Sequence, residues 1–133
     1  MTRELVIGLI SGTSADGVDA ALVEIEDHSG VLRVSCRAHL TLPYLPSLRD
    51  QVLQACSPET GSVDLLCALN FRLGEEFARA AISVSELAGV PLSKVNLIGS
   101  HGQTIYHIPP PGGDCSGSQA GGATLQIGEA SVI

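Results

Sequence analysis

The stretch Gly8-Leu9-Ile10-Ser11-Gly12-Thr13-Ser14-Ala15-Asp16-Gly17-Val18-Asp19 concentrates the groups in this chain that could bind an anion. Gly12 and Gly17 lack the Cβ that would hold a ligand away from the main chain. Ser11, Thr13 and Ser14 add hydroxyl donors, and successive N–H groups of a turn can converge into an anion-binding nest. Asp16 and Asp19 could hold, through water, the Mg2+ that accompanies a nucleotide phosphate. An ordinary tight hairpin explains the same Gly, Ser and Asp residues, and spacing alone leaves the two readings level. Asp19 tips the balance. Strand alternation places it with Ala21, Val23 and Ile25, while Val18, Ala20 and Leu22 take the other face. A carboxylate amid apolar neighbours on both faces needs a compensating partner.

A second candidate is Gly99-Ser100-His101-Gly102-Gln103-Thr104, just past a short apolar run, where α/β sheets place ligands. His101 and Gln103 carry donors and acceptors suited to sugar hydroxyls. For His101 taken singly, a structural histidine in a polar loop is the stronger reading. A metal hydrolase built on His101, His107 and Asp114 has poor ligand spacing and no helix to present it. The chain lacks the G-x-x-x-x-G-K-[ST] and G-x-G-x-x-G phosphate loops. H-E-x-x-H and the G-x-S-x-G nucleophile elbow are also missing.

The elements that must position these residues follow from pattern. Glu4–Ile10 is short, apolar and β-branched, and reads as a buried strand; Ser11–Gly17 is a turn; Val18–Glu26 is a second strand. Asp16-Gly17 between two apolar runs is a hairpin signal. His28-Ser29-Gly30 makes another turn before a third strand, Val31–Leu42, which completes an antiparallel meander. Pro43 and Pro46 then lead into a short helix, Leu48–Ala55, with Ser47 as N-cap. A long helix is expected from Ser62 to Ala88, its apolar stripe formed by Leu66, Leu69, Leu73, Phe77, Ala80, Val84 and Leu87. Gly89 and Pro91 end it. Val95–Ile98 and Thr124–Ile127 read as strands, Pro109–Gly122 as a mobile surface loop, and Glu129–Ile133 as the start of a helix.

Composition bounds the function. The 133 residues are 44% apolar and 16% charged, which suits one domain with a real core. The net charge is −7, with Lys94 the single lysine. Nucleic acid and anionic membrane surfaces are therefore poor partners, whereas backbone N–H groups, hydroxyls and Mg2+ can still hold phosphate. Cys36, Cys56, Cys67 and Cys115 form no C-x-x-C pair, so neither a zinc site nor a disulfide framework is expected. No signal peptide or apolar run of membrane-spanning length is present, and a reducing cytoplasm is the plain expectation.

GLISGTSADGVDAALVEI resembles the N-terminal signature of the anhydro-N-acetylmuramic acid kinases. GSHGQTIYH followed by prolines, TLQIGEASVI, and the LN-x-x-LG-x-x-FA pattern at Leu69–Ala78 resemble further blocks of that family in the same order. The resemblance implies an α/β fold: the N-terminal lobe of an actin-like/ribonuclease H-like ATPase, with an antiparallel meander, helices and further strands. Residues 1–133 would be the phosphate-binding lobe of a two-lobed cytoplasmic bacterial kinase, truncated at its C-terminal end. ATP and Mg2+ would be the cofactors, and an anhydro amino sugar of peptidoglycan recycling the substrate, with a possible homodimer in the full-length enzyme. Gly12, Thr13, Ser14, Ala15, Asp16, Gly17, Val18 and Asp19 would form the ATP phosphate loop, with Ser11, His101 and Gln103 toward the sugar. Glu129 stands where the family commonly has Asp, and Ala15 where it has a bulkier residue. The family's general-base aspartate is expected downstream of Ile133, so the chain alone should be inactive. The competing reading is a non-catalytic ligand-binding or interaction module derived from such a kinase.

Overall fold

The computed structural model describes residues 2–109 and 121–133. The expected Pro109–Gly122 loop, together with Asp114 and Cys115, falls almost entirely outside these residues. Three strands open the chain, β1 (Thr2–Ser11), β2 (Gly17–His28) and β3 (Val31–Pro43), paired as the expected antiparallel meander. Between β2 and β3 the chain reverses at Ser29-Gly30, both with positive φ (56° and 90°), the geometry that two-residue hairpin turns require. The Gly30 N–H donates to Asp27 Oδ1 at 2.7 Å.

Two helices follow, α1 (Pro46–Ala55) and α2 (Val63–Leu87). The expectation of Ser47 as N-cap is corrected: Leu45 holds the cap position and Pro46 opens the helix. A proline there has no N–H to leave unsatisfied, and its fixed φ already suits the first turn. On α2 the stripe Leu69, Leu73, Phe77, Ala80 and Val84 is buried as expected, joined by Ala81. Leu87, assigned to that stripe by spacing, is 62% exposed, because the helix ends there.

After a short 3-10 turn (Leu92–Lys94), β4 (Leu97–Ile108) runs parallel to β1, and β5 (Ala123–Ile127) pairs antiparallel with β4. The sheet order is β3-β2-β1-β4-β5. This is the mixed α/β architecture anticipated above, with a correction at β4. Residues 99–104 do not lie beyond a strand end but inside β4. Gln103 is paired on one side with Ser11 of β1 and on the other with Ile127 of β5, so both neighbours extend the strand through a glycine-rich segment. A register shift between Leu9 and Ser11 and a positive φ at Gly102 (78°) absorb the irregularity.

Both helices pack on one face of the sheet. Ile7, Leu9, Val18, Ala20 and Leu22 meet Leu48, Val52, Leu69, Leu73, Phe77 and Val84 in a single core. Full burial of a side chain the size of Phe77 or Leu73 contributes about 1.5–3 kcal/mol. Among the described residues nothing packs over the opposite face: Ile10, Val34 and Leu97 are 44%, 64% and 60% exposed. At the end of the chain, the described residues make a turn where a helix start was expected, with the Val132 N–H donating to the Glu129 carbonyl. The segment docks on α2, the Glu129 N–H reaching the Asn70 carbonyl at 2.9 Å and the Gly128 N–H reaching Asn70 Oδ1 at 2.8 Å. Gly74 is what permits this approach, since a Cβ there would stand 2.8 Å from the Glu129 carbonyl oxygen.

Candidate functional site

Ser11 ends β1 and Gly17 begins β2, leaving Gly12–Asp16 as the turn between them. The Gly12 carbonyl accepts two hydrogen bonds, from the Ala15 N–H (3.2 Å) and from Gln103 Nε2 (2.8 Å). Ala15 has a positive φ of 48°, yet its methyl group is fully buried in the core. Plugging this residue downward lifts Thr13, Ser14 and Asp16 to the surface. Among the described residues, the N–H groups of these three have no acceptor. Ser14 Oγ donates to Asp16 Oδ1 (3.0 Å), and the Asp16 carbonyl accepts from the Tyr44 N–H (3.0 Å). Gly17 is needed for close approach: an added Cβ would lie 2.4 Å from the Leu42 carbonyl oxygen.

The turn rests on buried polar groups. Ser11 and Gln103 are both fully buried. Ser11 Oγ lies 2.6 Å from the Gly17 carbonyl and 2.7 Å from Gln103 Oε1. Gln103 Nε2 also donates to the Thr104 carbonyl (2.9 Å). Tyr44 sits close by, its hydroxyl buried without a well-formed hydrogen bond. Burial pushes its pKa up to about 12; the nearby Ser11 hydroxyl acts in the opposite direction, and the Glu76 and Asp16 carboxylates reinforce the rise.

The other expected site residues lie elsewhere. Asp19 is exposed rather than buried, which corrects the argument made for it from alternation. Its face of β2 is the uncovered one, so water reaches the carboxylate, and Thr41 Oγ1 donates to it from β3 directly across. Val18 points the other way, into the core. His101 is exposed on the same open face as Asp19, beside a shallow cavity of about 540 Å3 lined by Gly8, Ile10, Asp19, His39, Thr41 and His101. Of the three residues expected toward a sugar, His101 is therefore the accessible one. Among the described residues no three His, Cys, Asp or Glu side chains converge as a metal-ligand set.

Sequence reasoning missed Arg49, which reaches from α1 to within 3.4 Å of the Ser14 carbonyl and adds a cation at the turn. It also missed Tyr44. Neither is connected to the turn by local spacing; only the return of β3 alongside β2 brings them there. No described helix is long and apolar enough to cross a membrane.

A family model described as anhydro-N-acetylmuramic acid kinase covers residues 4–133, which takes in every element except the first two residues of β1. The chain belongs to that family. An anhydro-N-acetylmuramic acid kinase of Bacillus cereus (strain G9842) is 44% identical over 96% of this chain and 32% of its own length. One of Bacillus cereus (strain B4264) is 46% identical, again over 96% of this chain and 32% of the relative. One of Caldanaerobacter subterraneus subsp. tengcongensis is 43% identical over 98% of this chain and 33% of the relative. The chain thus spans about a third of the length of these relatives.

The Glu129 carboxylate is held below the usual carboxylate range by Ser131, through its hydroxyl and N–H, and by Asn70, whose Nδ2 donates at 3.0 Å. It is thus tied to α2 and to its own turn.

Proposed function

We propose that this chain supplies the phosphate-binding lobe of an ATP-dependent kinase. The reaction opens the 1,6-anhydro ring of 1,6-anhydro-N-acetylmuramic acid and yields N-acetylmuramic acid 6-phosphate in the bacterial cytoplasm. The observation that carries this reading is the turn at Gly12–Asp16: its exposed residues Thr13, Ser14 and Asp16 have backbone N–H groups with no acceptor among the described residues, and they stand over a buried polar support. Such an array suits phosphate oxygens, and preorganised donors gain strength when closure of a cleft excludes water. Thr13, Ser14 and Asp16 bind and orient the phosphates through their N–H groups. Asp16 and Asp19, both exposed, would hold a hydrated Mg2+ through water, and Arg49 would offset the negative charge gathered at the turn. Bound Mg2+ neutralises charge on the phosphoryl oxygens. His101 faces the sugar side, and the general base belongs to residues beyond Ile133.

Joining residues 1–133 to the remaining two-thirds of the Bacillus cereus relative is expected to give an enzyme that turns over 1,6-anhydro-N-acetylmuramic acid with ATP and Mg2+. Asp19→Asn in that enzyme is expected to lower kcat/KM at least tenfold. The 133-residue chain alone should give no turnover, and measurable activity from it would overturn the placement of the base. A joined protein that folds and binds the sugar yet shows no turnover would favour a non-catalytic binding module.

A further inference from the structure

We propose that Ser11 and Gln103 are positioning residues that fasten the Gly12 and Gly17 carbonyls inward, so that the turn's N–H groups stay aimed outward at an anion. The proposal rests on the phosphate reading of the turn and departs from a sugar-contacting role for these two side chains. Ser11 and Gln103 are both fully buried, on the helix-covered face of the sheet, and their polar atoms are committed within the chain. A turn peptide can flip its carbonyl outward, which would present a partial negative charge to a phosphate. The Gly12 carbonyl is prevented from doing so by two donors, one from within the turn and one from a strand 91 residues away. At the other end of the turn the Ser11 hydroxyl shares its single proton between the Gly17 carbonyl (2.6 Å) and Gln103 Oε1 (2.7 Å). Because Gln103 also holds Thr104 and pairs with β5 through Ile127, the shape of the turn is tied to the β4–β5 hairpin. Leaving either buried partner unsatisfied is unfavourable, so the arrangement is held from both sides.

The test is amide hydrogen exchange by NMR on the 133-residue chain, comparing the parent with Gln103→Glu and Ser11→Ala. Gln103→Glu keeps the side-chain size but removes the donor to Gly12. Ala15 is the reporter, because its N–H is protected by the Gly12 carbonyl; Tyr44 is a second, through Asp16. The expected result is at least tenfold faster exchange at Ala15 and Tyr44 in both variants, with α2 amides such as that of Val84 unchanged. Equal exchange at Ala15 in parent and variants would overturn the proposal, and so would acceleration spread evenly across the chain. Where Gln103→Glu does not fold, Ser11→Ala decides alone. A parallel titration with Mg-ATP, read at the Thr13 and Ser14 amides, separates the two levels. Parent shifts that weaken tenfold in the variants support both the phosphate reading and the latch. A parent that does not respond counts against the phosphate reading, and the exchange result then judges the latch on its own.

Discussion

The meander contains two reversals built from similar residues. Gly12-Thr13-Ser14-Ala15-Asp16 joins β1 to β2, and Ser29-Gly30 joins β2 to β3. The second satisfies itself locally: two positive φ angles make the bend, and Asp27 caps the Gly30 N–H. Ser29 and Gly30 are both exposed, and among the described residues no side chain from a strand outside this hairpin bonds to them. The first uses a longer path, sinks Ala15 into the core and hangs its carbonyls on Gln103 and Ser11. Among the described residues, three of its N–H groups, at exposed positions, have no acceptor. A turn that only reverses the chain consumes its own polar groups. The phosphate-binding role proposed for the first turn fits donors left unpaired on a backbone that other residues pin.

That contrast can be broken at several points. The largest effect is expected at Gly17→Ala, where the new Cβ meets the main chain of β3 and should destabilise by about 3 kcal/mol, read from urea unfolding. Loss of less than a third of that would mean β3 can withdraw from the turn. Next is Tyr44, whose folded pKa of about 12 exceeds the value of 10.0 ordinary for tyrosine. Its contribution to stability is complete below pH 10 and is lost as pH rises toward 12, a decline of about 2–3 kcal/mol. Tyr44→Phe should remove most of that alkaline decline while changing stability at pH 7 by less than about 1 kcal/mol. At the other turn, Gly30→Ala should cost about 1–2 kcal/mol through its left-handed backbone. The smallest effect is Ser29→Asn, expected to add roughly 0.5 kcal/mol because Asn-Gly suits this turn. Neither change at 29–30 should alter the exchange rate of Ala15; if either does, the two turns are not independent.

Much of this lobe was legible because its signals are local. Asp16-Gly17 and Ser29-Gly30 announced the hairpins, and the spacing of Leu69, Leu73, Phe77 and Val84 announced α2. The strand through His101 and Gln103 was not legible, since glycine, serine and histidine are weak strand formers and neighbouring strands supply the pairing there. Asp19 was misjudged for a related reason. Alternation says which residues share a face but not whether that face is covered, and here the helices chose the other one. The turn was found from its glycines and hydroxyls, whereas Tyr44, Arg49 and the inward roles of Ser11 and Gln103 depend on contacts made across the sheet.

The uncovered sheet face has a calorimetric consequence. The heat-capacity increment of unfolding scales with the apolar surface newly exposed to water. Val34 and Leu97 are already largely wet in the folded chain, and Ile10 nearly half so, which reduces what they add to it. A chain of 133 residues would ordinarily show about 1.6–2.0 kcal/mol/K. This lobe should fall below that range, and its stability should therefore vary with temperature along a flatter curve than its size alone implies.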